Sequence, residues 1–220
     1  RPVTPDTGTT EFSLPLPPVL HRHLRLEVTA RLAGGQQATA AIRVPLVPAA
    51  HAWMFRHPRL GRAIQNLGGI GNVTYLPPGS GLDGVIAFDT GPGNMLVDAL
   101  VRRLTGGRQW FDVDGRRAAR GRIDDALVQE WLRHPYFRRR PPKSTGRELF
   151  GSTYVDAMLA DGKRRRLTED DLLATATALT AATCADAYRR FLAPRGPLAE
   201  VWVCGGGSGN PTLLAMLRQR

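Results

Sequence analysis

The sequence contains few cysteines and no long run of apolar residues, and each shortage excludes a class of protein. Its two cysteines, Cys184 and Cys204, are too few for a disulfide framework. They form no CxxC pair and have no histidine cluster nearby, which disfavours a zinc site. The longest apolar runs, such as Val85 to Phe88, are far shorter than the ~20 residues of a membrane-spanning helix. With no visible signal peptide, we expect a soluble, cytoplasmic protein with reduced thiols and no membrane contact.

Lysine is almost absent, although the chain is strongly basic. Lys143 and Lys163 are the only lysines among 30 basic residues, which face 19 acidic ones for a net charge of +11. Such a charge can indicate nucleic-acid binding, but the arginines come with an excess of alanine, glycine and proline, as in proteins from GC-rich genomes. No helix-turn-helix, zinc-finger or RNP pattern accompanies the basic clusters at 138–140 and 163–166. We therefore expect dispersed surface charge and no nucleic-acid partner.

The first part of the chain, residues 1–46, gives the least information about structure. It is rich in proline, and only the alternating run from His23 to Val28 has the pattern of a strand. We treat 1–46 as a poorly determined linker or remnant of a further lobe. Residues 47–220 are expected to form one domain.

From Ala63 onward, strand patterns alternate with helix patterns. Residues 64–67 and 70–76 predict an antiparallel hairpin around a glycine pair. Residues 85–88 predict a buried strand, which the Gly91-Pro92-Gly93 sequence should end before a helix. A further helix is predicted at 122–133. Another should run from Thr168, with Asp171 as its capping-box partner, to near Pro194. A strand at 201–204 should precede a last helix, with Asn210 as N-cap and Pro211 in the first turn. The fold class is therefore α/β.

Three glycine-rich turns each follow a predicted strand, at 68–69, 91–93 and 205–207. Glycine lets the backbone approach a ligand and direct its N–H groups at phosphate oxygens, and a helix N-terminus adds a favourable dipole for an anion. A single glycine turn is usually only a turn. Three of them at strand ends favour a nucleotide-binding cleft.

Asp89 is the strongest single candidate for chemistry. It is predicted to end an apolar strand, where a buried carboxylate is costly, and to face a glycine loop and the start of a helix. A general base fits this position. The alternative is that Asp89 only caps the helix that begins after Pro92.

The segment Lys143-Ser144-Thr145-Gly146 superficially resembles a phosphate-binding P-loop. The preceding residues, 139–142, lack the GxxxxG sequence that a Walker A motif needs, so the segment is not one. It is either an exposed loop on the substrate side or a structural loop in which Ser144 or Thr145 caps a helix starting at Arg147.

Four sequence strings, taken in order, resemble the anhydro-N-acetylmuramic acid kinases of peptidoglycan recycling. They are QNLGGIGNVTYLPPG, AFDTGPGNMLVDALVRRLTGG, HPYFRRRPPKSTGRELF and VCGGGSGNPTLL, and the resemblance runs from about Val44 to the end. It implies the C-terminal lobe of an actin-like or hexokinase-like (ribonuclease H-like) ATPase, with a mixed sheet flanked by helices.

The resemblance also implies roles for individual residues. Asp89 corresponds to the catalytic aspartate, and Asn94 to a substrate contact. The nucleotide-binding positions are Asn66, Gly68, Gly69 and Asn72 in the phosphate-binding hairpin, Gly91 and Gly93 in the second turn, and Gly205, Gly206 and Gly207 in the adenosine-binding loop. No metal ligand is assigned. The implied partners are a sugar, ATP with Mg²⁺, and a second copy of the chain in a homodimer.

The implied reaction couples two events: water, deprotonated by the aspartate, opens the 1,6-anhydro ring, and the freed O6 takes the γ-phosphoryl group of ATP. The products are N-acetylmuramate 6-phosphate and ADP. The family's GTMSGTSxDG phosphate loop is not found in 1–46, and the usual final strand and helices are also missing. We therefore expect an incomplete enzyme. The alternative is an inactive fragment or non-catalytic sugar- or nucleotide-binding remnant of the same fold.

Overall fold

A computed structural model of the chain describes residues 23–31 and 37–220, and the chain divides into two units, Arg1–Val47 and Pro48–Arg220. In the first unit, β1 (His23–Arg31) pairs antiparallel with β2 (Gln37–Pro45). The strand predicted from the alternating run at His23 is therefore confirmed as part of β1. Predictions for residues 1–22 and 32–36 lie outside the described residues.

The second unit is built on a four-stranded mixed sheet. Its strands are β3 (Arg62–Leu67), β4 (Ile70–Leu76), β5 (Ile86–Pro92) and β6 (Glu200–Cys204), in the order β5-β4-β3-β6. The first three strands are antiparallel neighbours, and β6 runs parallel to β3. The predicted hairpin and the predicted mixed sheet are both confirmed.

Strand β5 continues beyond the point at which the sequence pattern predicted its end. Asp89 lies within the strand, and the ladder extends through Gly91, which pairs with Gly71, to Pro92. An added Cβ atom at Gly71 would lie 2.8 Å from the Thr90 hydroxyl oxygen, so the missing side chain at Gly71 makes this close pairing possible. The predicted break at Gly91 was wrong. Of the three residues Gly91, Pro92 and Gly93, only Gly93 lies outside the strand, in the connection to the next helix.

Nine helices are described in the chain. They are α1 (Leu46–Phe55), α2 (Met95–Leu104), α3 (Arg116–Arg120), α4 (Asp125–Trp131), α5 (Pro135–Arg138), α6 (Arg147–Phe150), α7 (Ser152–Arg164), α8 (Glu169–Ala187) and α9 (Pro211–Arg218). Short 3₁₀ turns lie at Leu82–Gly84, Val113–Gly115, Ala193–Arg195 and Gly206–Gly209, and a π-helical turn at Tyr188–Leu192 follows α8.

Side-chain caps fix where three of these helices begin. The Thr168 hydroxyl and the Asp171 carboxylate form the predicted capping box of α8, and Asn210 accepts from the Leu213 amide at the start of α9, also as predicted. Helix α4 starts at Asp125 rather than near residue 122, because the Asp124 carboxylate caps it by accepting from the Leu127 amide.

Helix α8 is the central helix of the second unit. The sequence predicted one apolar face, but α8 is buried around almost its whole circumference and contacts β5, α2, α4 and α9. Its alanines and threonines are small enough for neighbours to pack closely on every side. The hydroxyls of Thr175 and Thr177 donate to the carbonyl oxygens of Asp171 and Leu173, so these polar groups are satisfied without water.

The largest core cluster packs α2, α4, α5, α6 and α7 against α8. Four aromatic rings lie close together within it. Phe150 stacks on Phe137 with ring centroids 5.6 Å apart and meets Tyr136 and Tyr154 edge-on. Because α5 and α6 flank residues 139–146, this cluster fixes both ends of the loop that contains Lys143.

Candidate active site

The hairpin turn between β3 and β4 is hydrogen-bonded to the start of α2. The amides of Gly93 and Met95 donate to the Gly69 carbonyl oxygen at 2.9 and 3.2 Å, and the amide of Asn94 donates to the Gly68 carbonyl oxygen at 2.8 Å. All three bonds join backbone to backbone. They hold the first glycine turn against the second.

The third glycine turn reaches the same place because β6 lies beside β3. Asn66 pairs with Cys204 in this parallel ladder, so the chain leaving β6 passes the end of β3. An added Cβ atom at Gly205 would collide with Asn66 Oδ1, and one at Gly207 would lie 2.7 Å from Leu67 Cβ and 3.2 Å from Asn94 Oδ1. The structure therefore brings the three predicted turns together at one end of the sheet.

The glycines of these turns fall into two groups according to the space around them. Gly93, Gly205 and Gly207 are required by packing. A side chain at Gly93 would collide with the hairpin turn, and one at Gly205 or Gly207 would collide with the end of β3. At Gly69 and Gly206, by contrast, an added Cβ atom would come no closer than 3.9 Å to any neighbour, and neither residue has a left-handed φ. The fold alone does not require glycine at Gly69 or Gly206.

A buried amide lies beneath the hairpin turn. The side-chain nitrogen of Gln65 donates to the carbonyl oxygens of Asn66 and Asn72, both at 3.1 Å, and the Tyr188 hydroxyl donates to the Gln65 side-chain oxygen at 2.9 Å. Burial raises the pKa of Tyr188 well above its ordinary value, so its hydroxyl remains a donor. Sequence reasoning assigned nothing to Gln65. Because β3 also contains Arg62 and Asn66, no signal in the sequence separates Gln65 from its polar neighbours.

Asp89 is held by the loop that joins α5 to α6. Its carboxylate accepts a hydrogen bond from the Thr145 amide at 2.9 Å, its carbonyl oxygen accepts one from the Tyr136 hydroxyl at 2.7 Å, and its amide donates to the Lys143 carbonyl oxygen at 3.1 Å. The N-cap residue of α2 is Asn94. The alternative that Asp89 caps that helix was therefore wrong.

The loop at Lys143 agrees only in part with the interpretations of its sequence, since Ser144 is exposed and α6 begins at Arg147 as expected. Lys143 is 6% exposed, so this part of the loop is not on the surface. The N-cap residue of α6 is Gly146, and neither Ser144 nor Thr145 caps that helix through its side chain. Instead, Thr145 gives its backbone amide to Asp89. The rarity of lysine in this chain does not single out Lys143, since the exposed Lys163 shares it.

A polar groove begins at Gly69 and runs between α2 and the segment Arg147–Val155. Its volume is about 680 Å³, and its charged side chains are Asp98, Arg102, Arg103 and Arg147. Burial raises the pKa of Asp98 from 3.8 to about 6, against the opposing effect of the Arg102 charge. The groove can therefore present three positive charges, with one carboxyl group that titrates near pH 6.

Several arginines of the basic chain are neutralised locally. In the cluster predicted at 163–166, Arg165 pairs with Asp124 and Glu130, and Arg164 pairs with Glu130 and Asp161. Elsewhere, Arg117 pairs with both Glu169 and Asp170 at the start of α8. Such pairs agree with dispersed charge, while the absence of a nucleic-acid partner stays a prediction.

Clusters of metal ligands and membrane-spanning helices are both absent from the described residues. Among residues 23–31 and 37–220, no group of three or more His, Cys, Asp or Glu side chains is placed to hold a metal ion. In the same part of the chain, no helix has the length and apolar character needed to cross a membrane.

Comparison with known proteins decides the family. The sequence model of the anhydro-N-acetylmuramic acid kinase family matches residues 8–220. The chain belongs to the anhydro-N-acetylmuramic acid kinase family. This match begins well before Val44, the position from which the sequence was expected to resemble the family.

Individual members of the family are similar over most of this chain. The anhydro-N-acetylmuramic acid kinase of Caldanaerobacter subterraneus subsp. tengcongensis is 44% identical over 188 residues, and that of Cyanothece sp. is 49% identical over 182 residues. These alignments cover 86% and 81% of this chain but 46% of each relative, so the chain spans about half the length of the curated relatives it matches. The family has the actin- and hexokinase-like ATPase fold, and its members are kinases.

Proposed function

We propose that this chain contributes the nucleotide-binding turns and the catalytic base of an ATP-dependent anhydro-N-acetylmuramic acid kinase. In this reaction, water adds to the anomeric carbon as the 1,6-anhydro bridge opens, and the freed O6 takes the γ-phosphoryl group of ATP. The products are N-acetylmuramate 6-phosphate and ADP. The family membership supports the reaction class, and the geometry at 89–94 supports the assignment of residues.

The observation that carries the nucleotide part of the proposal is the open space at Gly69 and Gly206. Packing does not demand glycine at either position, yet both lie where the three turns meet. A phosphate or an adenosine that approaches the backbone closely does demand it. We assign Asn66, Gly68, Gly69 and Asn72 to the phosphates, together with Gly91 and Gly93, and the loop Gly205–Gly207 to the adenosine.

Asp89 is proposed as the general base that takes a proton from the attacking water. A base must be held within hydrogen-bonding reach of the proton that it removes. The Thr145 amide, the Tyr136 hydroxyl and the Lys143 carbonyl fix both the carboxylate and the backbone of Asp89. Asn94, at the start of α2, is proposed to contact the sugar.

Among residues 23–31 and 37–220, no group of three or more His, Cys, Asp or Glu side chains could hold a metal ion by itself. Mg²⁺ commonly keeps several water ligands and binds through substrate phosphates with one or two carboxylates. We therefore propose that the ion enters with ATP, where it would neutralise phosphate charge. The homodimer also remains a proposal.

The test is phosphorylation of anhydro-N-acetylmuramic acid by the protein that contains this chain, with ATP and Mg²⁺, followed by mass spectrometry in ¹⁸O-labelled water. We expect a sugar phosphate that carries one ¹⁸O atom, since water opens the ring. Binding of an ATP analogue without any phosphorylated sugar would favour the non-catalytic alternative. Failure to bind nucleotide at all would contradict the assignment of the glycine turns.

A further inference from the structure

Lys143 lies in an aromatic cage beneath the loop that holds Asp89. Its ammonium nitrogen is 4.6 Å from the centroid of the Tyr136 ring, 5.0 Å from that of Phe191 and 5.8 Å from that of Phe88. Ring faces attract a cation at these distances, and more strongly when water is excluded. The three rings come from α5, the π-helical turn and β5, so one ammonium group links three elements.

The same nitrogen also lies 3.4 Å from the carbonyl oxygens of Tyr136 and Phe137, to which it donates. Both carbonyls belong to α5. The loop begins after α5 at Arg139, and the Lys143 side chain then contacts α5 again. This contact fixes the course of the backbone at 143–145. The Lys143 carbonyl then accepts from the Asp89 amide, and the Thr145 amide reaches the Asp89 carboxylate.

We propose that Lys143 is a positioning residue for Asp89: its caged ammonium group holds the loop so that the Thr145 amide orients the Asp89 carboxylate. This inference rests on the proposed role of Asp89 as the general base. Lys143 would act through Thr145 and touch neither sugar nor nucleotide. A buried ammonium group is costly in free energy unless it is compensated. The cage and the two carbonyls provide that compensation.

The ammonium group is poised to lose its proton at mildly alkaline pH. Burial lowers the pKa of Lys143 from 10.5 to about 8. Four charged groups face it: Asp186 on α8 and Asp89 on β5 favour the charged form, while Arg139 after α5 and Arg190 in the π-helical turn oppose it. Tyr136, whose pKa burial raises well above its ordinary value, stays neutral over this range. Above pH 8, the neutral amine should hold the loop less firmly.

The experiment takes advantage of the chain having only two lysines. With ¹³C-labelled lysine, the ε-methylene signals of Lys143 and Lys163 are two peaks, and Lys163→Met identifies the exposed one. In the unmodified chain, the Thr145 amide proton signal should shift with the same midpoint as Lys143 between pH 7 and 9.5. The surface variant Lys163→Met serves only for assignment, and the titration itself is measured on the unmodified chain. A Thr145 signal that stays constant while Lys143 loses its proton would overturn the proposal.

Lys143→Met then tests the role itself, because methionine keeps the length and the apolar stem but carries no charge. We expect the alkaline step at Thr145 to vanish. In the protein that contains this chain, we expect kcat to fall about 10- to 100-fold, the range for a displaced catalytic group. The decline of kcat above pH 8, expected for the unmodified protein, should be absent from the variant. KM for ATP should be unchanged. Lys163→Met should behave as the unmodified protein.

The outcomes separate this inference from the proposed function. If the unmodified protein phosphorylates no sugar, the proposed function fails, but the Thr145 response still tests whether Lys143 holds the loop. Suppose instead that the unmodified enzyme is active, and that the Lys143→Met variant folds with the same kcat and the same decline above pH 8. The positioning role of Lys143 is then wrong, while the proposal that Asp89 is the general base still stands. A parallel rise in KM for ATP would place Lys143 in nucleotide binding, which also contradicts the proposal.

Discussion

The Thr145 backbone amide donates a 2.9 Å hydrogen bond to the Asp89 carboxylate, although 56 positions separate the two residues in the sequence. The bond joins the middle of a sheet strand to a loop between two short helices. Because the donor is a backbone group, substitution of the Thr145 side chain leaves it in place. The position of the Thr145 side chain therefore does not decide whether this bond forms.

Asp89→Asn should slow sugar phosphorylation by roughly 10²- to 10⁴-fold, the range for loss of a general base. Asparagine retains an oxygen that can accept from Thr145, so the loop should keep its position. Affinity for an ATP analogue should change little, since the nucleotide is assigned to the glycine turns. Steady-state kinetics and calorimetry with the analogue measure the two effects. Turnover near that of the unmodified enzyme would refute the assignment of the base.

Gly69→Ala and Gly206→Ala should weaken nucleotide binding while leaving the fold intact. Both sites have room for a methyl group in the protein itself, so only a ligand that approaches closely would meet it. We expect affinity for the ATP analogue to fall about 10-fold or more, in line with the 1.4 kcal/mol that a tenfold change represents, and thermal stability to stay nearly constant.

Gly205→Ala is the matched contrast, because its added methyl group would collide with Asn66 and its φ of +83° disfavours any side chain. This variant should lose stability as well as affinity. Gly209→Ala, which meets nothing within 4 Å, should lose neither. Equal nucleotide affinity in Gly69→Ala, Gly206→Ala and Gly209→Ala would show that the open glycine faces are not binding surfaces.

Asp98→Asn should change how stability depends on pH. Burial raises the pKa of Asp98 to about 6, above its ordinary 3.8. A raised pKa in the folded state means that this group's contribution to stability is full below pH 3.8 and is lost as the pH rises through 6. The free energy of unfolding of the unmodified chain, minus that of the variant, should therefore fall between about pH 4 and 6 and stay level above that range.

Urea denaturation of both chains at several pH values gives this difference directly, and titrations common to both chains cancel. A difference that rises with pH over the same range would mean that ionised Asp98 is stabilised in the folded state. The Arg102 charge would then outweigh burial in the groove.

Phe150→Ala should destabilise the second unit by about 3–5 kcal/mol, the usual cost of removing a buried aromatic ring. The ring is 1% exposed and contacts the rings of Phe137, Tyr136 and Tyr154. Trp53→Ala removes a larger side chain that is 72% exposed, and it should cost within about 0.5 kcal/mol. Denaturant unfolding compares the two, and similar losses would place Trp53 in a packed interface.

The sequence predicted the hairpin, the central helix and the final strand-turn-helix unit because each has local signals: glycine pairs, caps and apolar spacing. The same local reasoning placed a strand end at Asp89, since Gly91 and Pro92 usually interrupt a strand. It could not foresee that Gly71, on the neighbouring strand, makes room for the pairing to continue. That depends on which glycine faces which residue across the sheet.

The candidate site was predictable only in part, for a similar reason. Asp89 and the glycine turns stand out along the chain, whereas the roles of Thr145, Lys143 and Gln65 depend on partners far away in the sequence. A backbone amide leaves no trace in residue identity. For Lys143, the sequence shows only that lysine is rare in this chain, and only the structure shows the aromatic rings around its ammonium group.

The three backbone bonds between the hairpin turn and the start of α2 bear on how this region can evolve. Amide and carbonyl groups are common to nearly all residues, so mutation at Met95 cannot remove its bond to Gly69 unless it introduces proline. Constraint falls on the room between the hairpin turn and the start of α2, which Gly93 provides because an added Cβ atom there would collide with the Gly68 carbonyl oxygen. The Met95 side chain packs against the largest core cluster, so over evolutionary time this position should drift among apolar residues while Gly93 stays fixed. A selected space, rather than one selected side chain, then preserves this junction.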